Sequence, residues 1–217
     1  MAAEDGRLMD HGSSYKVLLK KGMKVCMKLW KQMLSLALVL VLVLGLCPGV
    51  VAASSGYLDV SENHWAYPYI QDVTERGIMN GVGSNLFQPD GTMTRAMFVT
   101  VLARMSGETL YPDEPSVFPD VPTGKYFSGA VNWATERQIV TGYPDGTFGT
   151  EQPVTREQAA TFLARFAGVM NLTLEAVQEP VAFTDRDAIH SYARGSVDAC
   201  SQAGILAGYP DGRFQPR

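Results

Sequence analysis

The sequence is poor in cysteine, because it holds three in 217 residues and two of them, Cys26 and Cys47, precede residue 54. Cys200 therefore has no cysteine partner after that point. This excludes an intramolecular disulfide and a cysteine-based zinc site in the body of the protein. We expect Cys200 to pack as a small apolar side chain on a helix.

Lysine is scarce as well, since Lys125 is the only one after residue 53. The segment after that residue carries 11 basic and 19 acidic residues, a formal charge of −8, whereas the whole chain carries −4. A polyphosphate backbone would repel such a surface, which excludes non-specific binding of nucleic acid. An anionic ligand would have to be held by individual arginines.

The chain lacks the short motifs of common hydrolases, such as Gly-x-Ser-x-Gly and His-Glu-x-x-His. Repeated aspartates occur at positions 59, 120 and 185, and we interpret them as helix caps rather than as catalytic acids. A spatial pair of carboxylates for glycoside hydrolysis stays open at this point. The Asp-Gly loops lack the acidic ladder of an EF-hand, so we expect neither a metal nor another cofactor.

Basic residues precede an apolar run, Met33 to Leu46, which Pro48 and several small residues follow. This order is typical of a secretory signal peptide, and we predict one at residues 1–53 with cleavage after Ala53. Because its basic segment is unusually long, translation starting at Met23 or Met27 is an alternative. The other reading of the segment is a retained membrane anchor. With cleavage, contact with the membrane is confined to the uncleaved signal peptide.

After the leader, one unit recurs two and a half times. Landmarks of the first and second copies lie 61 residues apart, and those of the second and third lie 65 or 66 apart. Each unit has an opening aromatic residue, an aromatic residue that closes a Gly-containing loop and, in the first two copies, a Thr-Arg pair. These landmarks are Tyr57, Phe87 and Thr94-Arg95, then Phe118, Phe148 and Thr155-Arg156, then Phe183 and Phe214.

The apolar spacing within a unit predicts helix, loop, helix. Thr94 and Thr155 should cap the second helices, and Thr155 with Gln158 should form a capping box. One hairpin cannot bury its own apolar face, so we expect a mainly α bundle of hairpins packed around a shared axis. The predicted boundaries are 57–107 for the first repeat, 108–117 for a linker, 118–168 for the second repeat, 169–182 for a linker and 183–217 for the third repeat.

We expect the third repeat to be truncated, because a Thr-Arg helix would fall beyond residue 217. The apolar face of its first helix, which includes Val197, Cys200 and Ile205, would then lack its hairpin partner. Such an exposed face would favour self-association.

The motifs Phe-Pro-Asp-Val at residues 118–121, Gly-Tyr-Pro-Asp-Gly-Thr-Phe at 142–148 and Thr-Arg-Glu at 155–157 resemble those of S-layer homology modules. The resemblance covers nearly everything after Gly56. It implies three modules in a pseudo-trimeric helical bundle, incomplete here, and binding of secondary cell-wall polysaccharide, often pyruvylated, in grooves between modules. Where the family motif has a Glu after Thr-Arg-Ala, this chain has Met97 and Gln158.

Arg95 and Arg156 are the leading ligand-binding candidates. We expect each to be exposed in the first turn of a helix, where free N–H groups already favour an anion. A guanidinium matches a carboxylate such as that of a pyruvate ketal in two hydrogen bonds. The structural alternative is an ion pair of Arg95 with Asp90, or of Arg156 with Glu151.

Three aromatic residues at matching positions, Trp65, Tyr126 and Tyr192, could stack on sugar rings or pack in the core. Three loop glycines could serve the turn or allow the backbone to approach a ligand. The full predicted polysaccharide site comprises Arg95, Arg156, Thr94, Thr155, Trp65, Tyr126, Tyr192, Gly81, Gly142 and Gly208.

The resulting prediction is a secreted, non-catalytic anchor of the cell wall or S-layer. Two alternatives belong to other classes. The chain could be the N-terminal part of a larger cell-surface enzyme, such as a polysaccharide hydrolase, or a structural S-layer subunit that assembles with itself.

Overall fold

The computed structural model of the chain describes residues 56–217, so the predicted signal peptide lies outside the described residues. Within this range the protein has five α-helices and one 3-10 turn, and no strand, which confirms the mainly α prediction. None of these helices combines the length and apolar character needed to cross a membrane. The elements are α1 (Tyr67–Glu75), α2 (Arg95–Ser106), α3 (Ser128–Glu136), α4 (Arg156–Val169), the 3-10 turn (Arg186–Ala188) and α5 (Arg194–Gln202).

The second helix of each complete repeat begins at its predicted threonine. The Thr94 hydroxyl accepts a hydrogen bond from the Met97 backbone N–H at 3.2 Å. The Thr155 hydroxyl accepts one from the N–H of Gln158 at 3.3 Å, and the Gln158 side chain accepts one from the N–H of Thr155 at 3.2 Å. The predicted capping box is therefore confirmed.

The repeated aspartates do not cap helices, so that interpretation is wrong. Asp120 instead accepts hydrogen bonds from the N–H groups of Phe148 and Gly149, both at 2.7 Å, and of Thr150 at 3.2 Å. Each of these aspartates thus ties the start of its repeat to the end of its loop, 28 to 30 residues along the chain. The equivalent bonds join Asp59 to Phe87 and Gln88, and Asp185 to Phe214 and Gln215.

Each loop glycine lies under the opening aromatic ring of its own repeat. A Cβ atom on Gly142 would stand 2.4 Å from Cε1 of Phe118, and one on Gly208 would stand 2.7 Å from Cε1 of Phe183. Only Gly81 also has a positive φ, of 69°. Close approach of this ring, rather than a turn conformation, is therefore what requires glycine at the second and third positions.

The helices pack in pairs that cross the repeat boundaries: α2 packs on α3, and α4 packs on α5. The predicted hairpin within each repeat is therefore not the packing unit. Small residues on both faces of the first pair let the two helices approach closely. The buried residues of this pair are Ala96, Val99, Leu102 and Ala103 on α2, and Ala130, Val131 and Ala134 on α3.

The first helix of the third repeat has a partner in this arrangement. Val197 and Cys200 are fully buried in a cluster with Ala160 of α4, and the Cys200 thiol points at the Ala160 carbonyl at 3.5 Å. The expectation that this face is exposed is wrong for both residues, while Ile205 lies beyond the helix and is exposed. The predicted packing of Cys200 as a small apolar residue is confirmed.

Candidate functional site

The side chain of Arg95 reaches out of the first repeat and into the loop of the second. Its Nε donates a hydrogen bond to the Phe148 carbonyl at 2.9 Å, and an Nη donates to the Thr141 carbonyl at 3.0 Å. The residue is only 3% exposed, so the expectation of an exposed arginine is wrong here. Arg95 therefore joins two repeats through carbonyl groups that no other side chain satisfies in this way.

Aromatic rings surround this guanidinium. The Cζ atom of Arg95 lies 4.7 Å from the ring centroids of Tyr143 and Phe148 and 5.2 Å from that of Phe162. Burial lowers the pKa of Arg95, but an arginine at this level still stays charged at neutral pH. Cation–π attraction in a site shielded from water adds to the two hydrogen bonds.

Arg156 repeats this arrangement between the second and third repeats. Its Nε donates to the Phe214 carbonyl at 2.9 Å and its Nη to the Ala207 carbonyl at 2.7 Å. The guanidinium lies over the rings of Phe214 and Tyr209 at 4.7 and 5.1 Å. Arg156 is half-buried, so it is more accessible than Arg95.

The first turns of α2 and α4 are also covered by backbone. The N–H groups of Arg95 and Ala96 donate to the carbonyls of Gln152 and Thr150, and the N–H of Glu157 donates to that of Pro216. These donors are therefore not free for an anion, contrary to the expectation. The alternative ion pairs of the two arginines with Asp90 and Glu151 are not formed among residues 56–217 either.

The three matched aromatic residues lie on the surface. Trp65 is 78% exposed, Tyr126 58% and Tyr192 53%, which excludes the core-packing alternative. A neighbouring ring supports each of them: Trp65 lies beside His64, Tyr126 meets Phe127 edge-on at 5.1 Å, and the third is stacked on its neighbour His190. Flat apolar faces held in this way suit stacking on a sugar ring.

Tyr192 lies where all three repeats meet. The carboxylate of Glu157, which is buried, is 2.6 Å from Nδ1 of His190 and also accepts from the His190 backbone N–H at 3.0 Å. Partial burial, the charge of Glu157 and a hydrogen bond to it raise the pKa of Tyr192 to about 12. Arg95 and Tyr143 contribute to the same local field. The phenol therefore stays neutral and is held in place by the second repeat.

Tyr126 occupies the equivalent place one repeat earlier, beside a cavity of about 410 Å³. The loop of the first repeat, helix α2 and Tyr126 line this cavity. Partial burial and the charge of Glu151 raise the pKa of Tyr126, while Arg104 opposes the shift. Two aromatic residues thus stand at the rims of equivalent sites between consecutive repeats.

Sequence reasoning missed Arg104 and Arg165, which also lie 61 residues apart. Each is exposed and points one Nη at a carbonyl of its own repeat, that of Ile78 at 3.1 Å or of Ile139 at 3.5 Å. The repeat offset was the signal that could have found them. Within residues 56–217, no cluster of acidic, histidine or cysteine side chains has the form of a metal site.

The S-layer homology domain model matches residues 56–97, 117–160 and 182–217. These three segments make up more than half of the chain, and the chain belongs to the S-layer homology domain family. Domains of this family are non-catalytic and anchor proteins to the cell surface, which makes this chain a secreted, cell-surface protein.

Relatives include both enzymes and surface-layer proteins. An endoglucanase of Bacillus sp. (strain KSM-635) is 30% identical over 196 residues, covering 86% of this chain and 20% of the relative. An S-layer protein of Bacillus licheniformis is 28% identical over 57% of the chain and 14% of the relative. A middle cell wall protein of Brevibacillus brevis is 33% identical over 42% of the chain and 9% of the relative. The chain thus spans a fifth or less of the length of each.

Proposed function

We propose that this chain is a non-catalytic anchoring module that binds secondary cell-wall polysaccharide, in pyruvylated form, and so holds an exported protein at the cell surface. The observation that carries the proposal is the exposure of Trp65, Tyr126 and Tyr192 at matching positions of three repeats. Exposed aromatic residues without a core role need a partner, and the apolar face of a pyranose ring is one of matching shape.

We further propose that residues 1–53 are a cleaved signal peptide and that the modules at 57–107, 118–168 and 183–217 are arranged around one axis as a pseudo-trimer. Arg95 contacts the second module as Arg156 contacts the third, through equivalent carbonyls. The same relation therefore applies from the first module to the second and from the second to the third. Such repetition is what a rotation about a common axis would produce.

The arginines have two roles in this proposal. Their Nε and one Nη hold the adjoining loop, and their remaining N–H groups supply positive charge beside the aromatic rims for the carboxylate of an acidic sugar. Arg95 lies close enough to Tyr192 to influence its field, which is consistent with this placement. Direct contact of Arg95, Arg156 or the capping threonines with the ligand stays a prediction.

Sedimentation with purified cell-wall sacculi tests the anchoring function. The full chain should sediment with native walls and should stay in solution with walls whose polysaccharide has been extracted. Walls from which only the pyruvate has been removed should retain much less protein. Equal sedimentation with all three preparations would exclude the proposal.

Alanine substitution of the exposed aromatic residues tests the site itself. Trp65→Ala, Tyr126→Ala and Tyr192→Ala should each weaken wall binding about fivefold, because each removes roughly 1 kcal/mol of stacking. Their thermal stability should change little, since the three side chains are exposed. Tyr111→Ala is the matched control, because Tyr111 is a 60% exposed aromatic residue outside the repeated positions. A loss with this variant as large as with the others would contradict the assignment.

The two alternatives make different predictions. The match to a fifth of an endoglucanase favours a chain that works beside a catalytic region of a surface enzyme. Release of reducing sugar by the purified chain would show that the described repeats are themselves catalytic. Assembly into ordered sheets without any wall material would instead favour a structural S-layer subunit.

A further inference from the structure

The cavity beside Tyr126 is the third copy of a site that an arginine fills in the other two copies. In the second repeat, Arg95 occupies the space between the Thr141 and Phe148 carbonyls. Sixty-one residues earlier, the equivalent positions are Asn80 and Phe87, and both line the cavity. No side chain of residues 56–217 donates a hydrogen bond to either of these two carbonyls.

We propose that this cavity is a receptor for the first-turn arginine of a Thr-Arg helix that belongs to another S-layer homology repeat, outside residues 56–217. The volume of about 410 Å³ exceeds what one arginine side chain fills, so the entering turn of the helix has room as well. The inference builds on the proposed arrangement of modules around one axis, but it does not depend on polysaccharide binding.

The chemistry of the walls matches that occupant. Backbone carbonyls are acceptors, and a guanidinium offers the planar set of donors that already satisfies their equivalents twice in this chain. Phe87 retains the aromatic wall that Phe148 and Phe214 supply to the two buried arginines. Arg104 also lines the cavity and does not exclude a second arginine, since Arg165 stands at the matching position near Arg95.

The walls differ in one respect that sets the expected affinity. Tyr143 and Phe162 contact Arg95, whereas the matching residues of the first repeat are Val82 and Val101. The cavity therefore offers less cation–π attraction than its two filled equivalents. A second copy of this chain is a poor occupant, because its own Arg95 and Arg156 are held by hydrogen bonds inside their own chain.

A peptide binding experiment tests the receptor. The probe is a fluorescent synthetic peptide with the sequence of residues 153–170, which carries the Thr-Arg pair of α4, titrated against the full chain. Substituting alanine or lysine for the peptide's Arg156 should weaken binding about tenfold or more, because two charge-assisted hydrogen bonds are lost or misplaced. Equal binding of the arginine and alanine peptides would overturn the proposal.

Substitutions at Val82, which is exposed at the cavity rim, show whether the peptide enters this cavity. Val82→Lys should weaken peptide binding about threefold or more by repulsion, and Val82→Glu should strengthen it. Val82→Tyr should also strengthen it by restoring the missing ring. Val117→Lys is the control, since Val117 is exposed and does not line the cavity.

The same pair of charge variants separates the arginine from an acidic sugar. If Val82→Lys leaves peptide binding unchanged but tightens binding to wall polysaccharide, the cavity holds an anion and the proposal is wrong. A photo-crosslinker on the peptide should label residues 79–101. Labelling of residues 141–148 instead would mean that the peptide displaces Arg95, and would also overturn it.

Discussion

Replacing Arg95 with alanine should lower the free energy of unfolding by about 4 kcal/mol, the largest effect expected of any substitution at the predicted site. The change leaves the carbonyls of Phe148 and Thr141 without a donor and opens a cavity between three aromatic rings. Each unsatisfied buried acceptor costs about 1–3 kcal/mol, and the lost packing adds to this. Urea denaturation followed by circular dichroism measures the effect.

Two further variants decide whether this loss comes from the bridge between repeats. Arg95→Lys should recover less than half of the stability, because an ammonium cannot reach both carbonyls in the fixed geometry of a guanidinium. Arg104→Ala, on an exposed arginine of the same helix with one hydrogen bond, should cost less than about 1 kcal/mol. An Arg95→Ala protein as stable as the Arg104→Ala protein would rule out the bridging role.

Asp120→Asn should lower the free energy of unfolding by about 2 kcal/mol at neutral pH. The Asp120 carboxylate accepts three backbone N–H bonds, and an amide group would direct a donor at one of those donors. Asp90→Asn is the matched control, because Asp90 is an exposed aspartate of a loop with no such bonds in the described part of the chain. Equal stability of the two variants would contradict the role given to Asp120.

The same carboxylate predicts how stability depends on pH. Burial acts to raise the pKa of Asp120, but hydrogen bonds from the N–H groups of Phe148, Thr150 and Gly149 outweigh it and lower the pKa below the usual 3.8. The folded state therefore binds the proton less tightly than the unfolded state. The stabilisation is complete above the unfolded pKa and is lost as the pH falls through the folded one. Asp120→Asn should accordingly flatten the loss of stability below about pH 4.

The local features of the fold were predictable because their causes are local. The capping box at Thr155 needs only residues three apart, and the helices follow from apolar spacing within single turns. The aspartates were misread for the complementary reason. Their short side chains favour helix caps in general, whereas Asp120 binds N–H groups 28 to 30 residues further on.

The placement of the arginines could not be read from the sequence. A Thr-Arg pair at the start of a helix looks the same whether the guanidinium faces solvent or a neighbouring loop. The partners of Arg95 and Arg156 lie 46 to 58 residues away, and only the packing of α2 on α3 and of α4 on α5 brings them near. Apolar periodicity shows which face of a helix is buried but does not show which helix covers it.

The helix pairs that cross repeat boundaries have a consequence for how such chains lengthen. Each pair starts in one repeat and ends in the next, so any contiguous stretch of 61 residues contains the parts of one whole pair, wherever the stretch begins. A tandem duplication of residues 57–117 and one of residues 95–155 would generate the same order of helices, aspartate ties and arginine bridges. Recombination sites are therefore free to fall in exposed segments such as 108–117, where a join disturbs no buried contact.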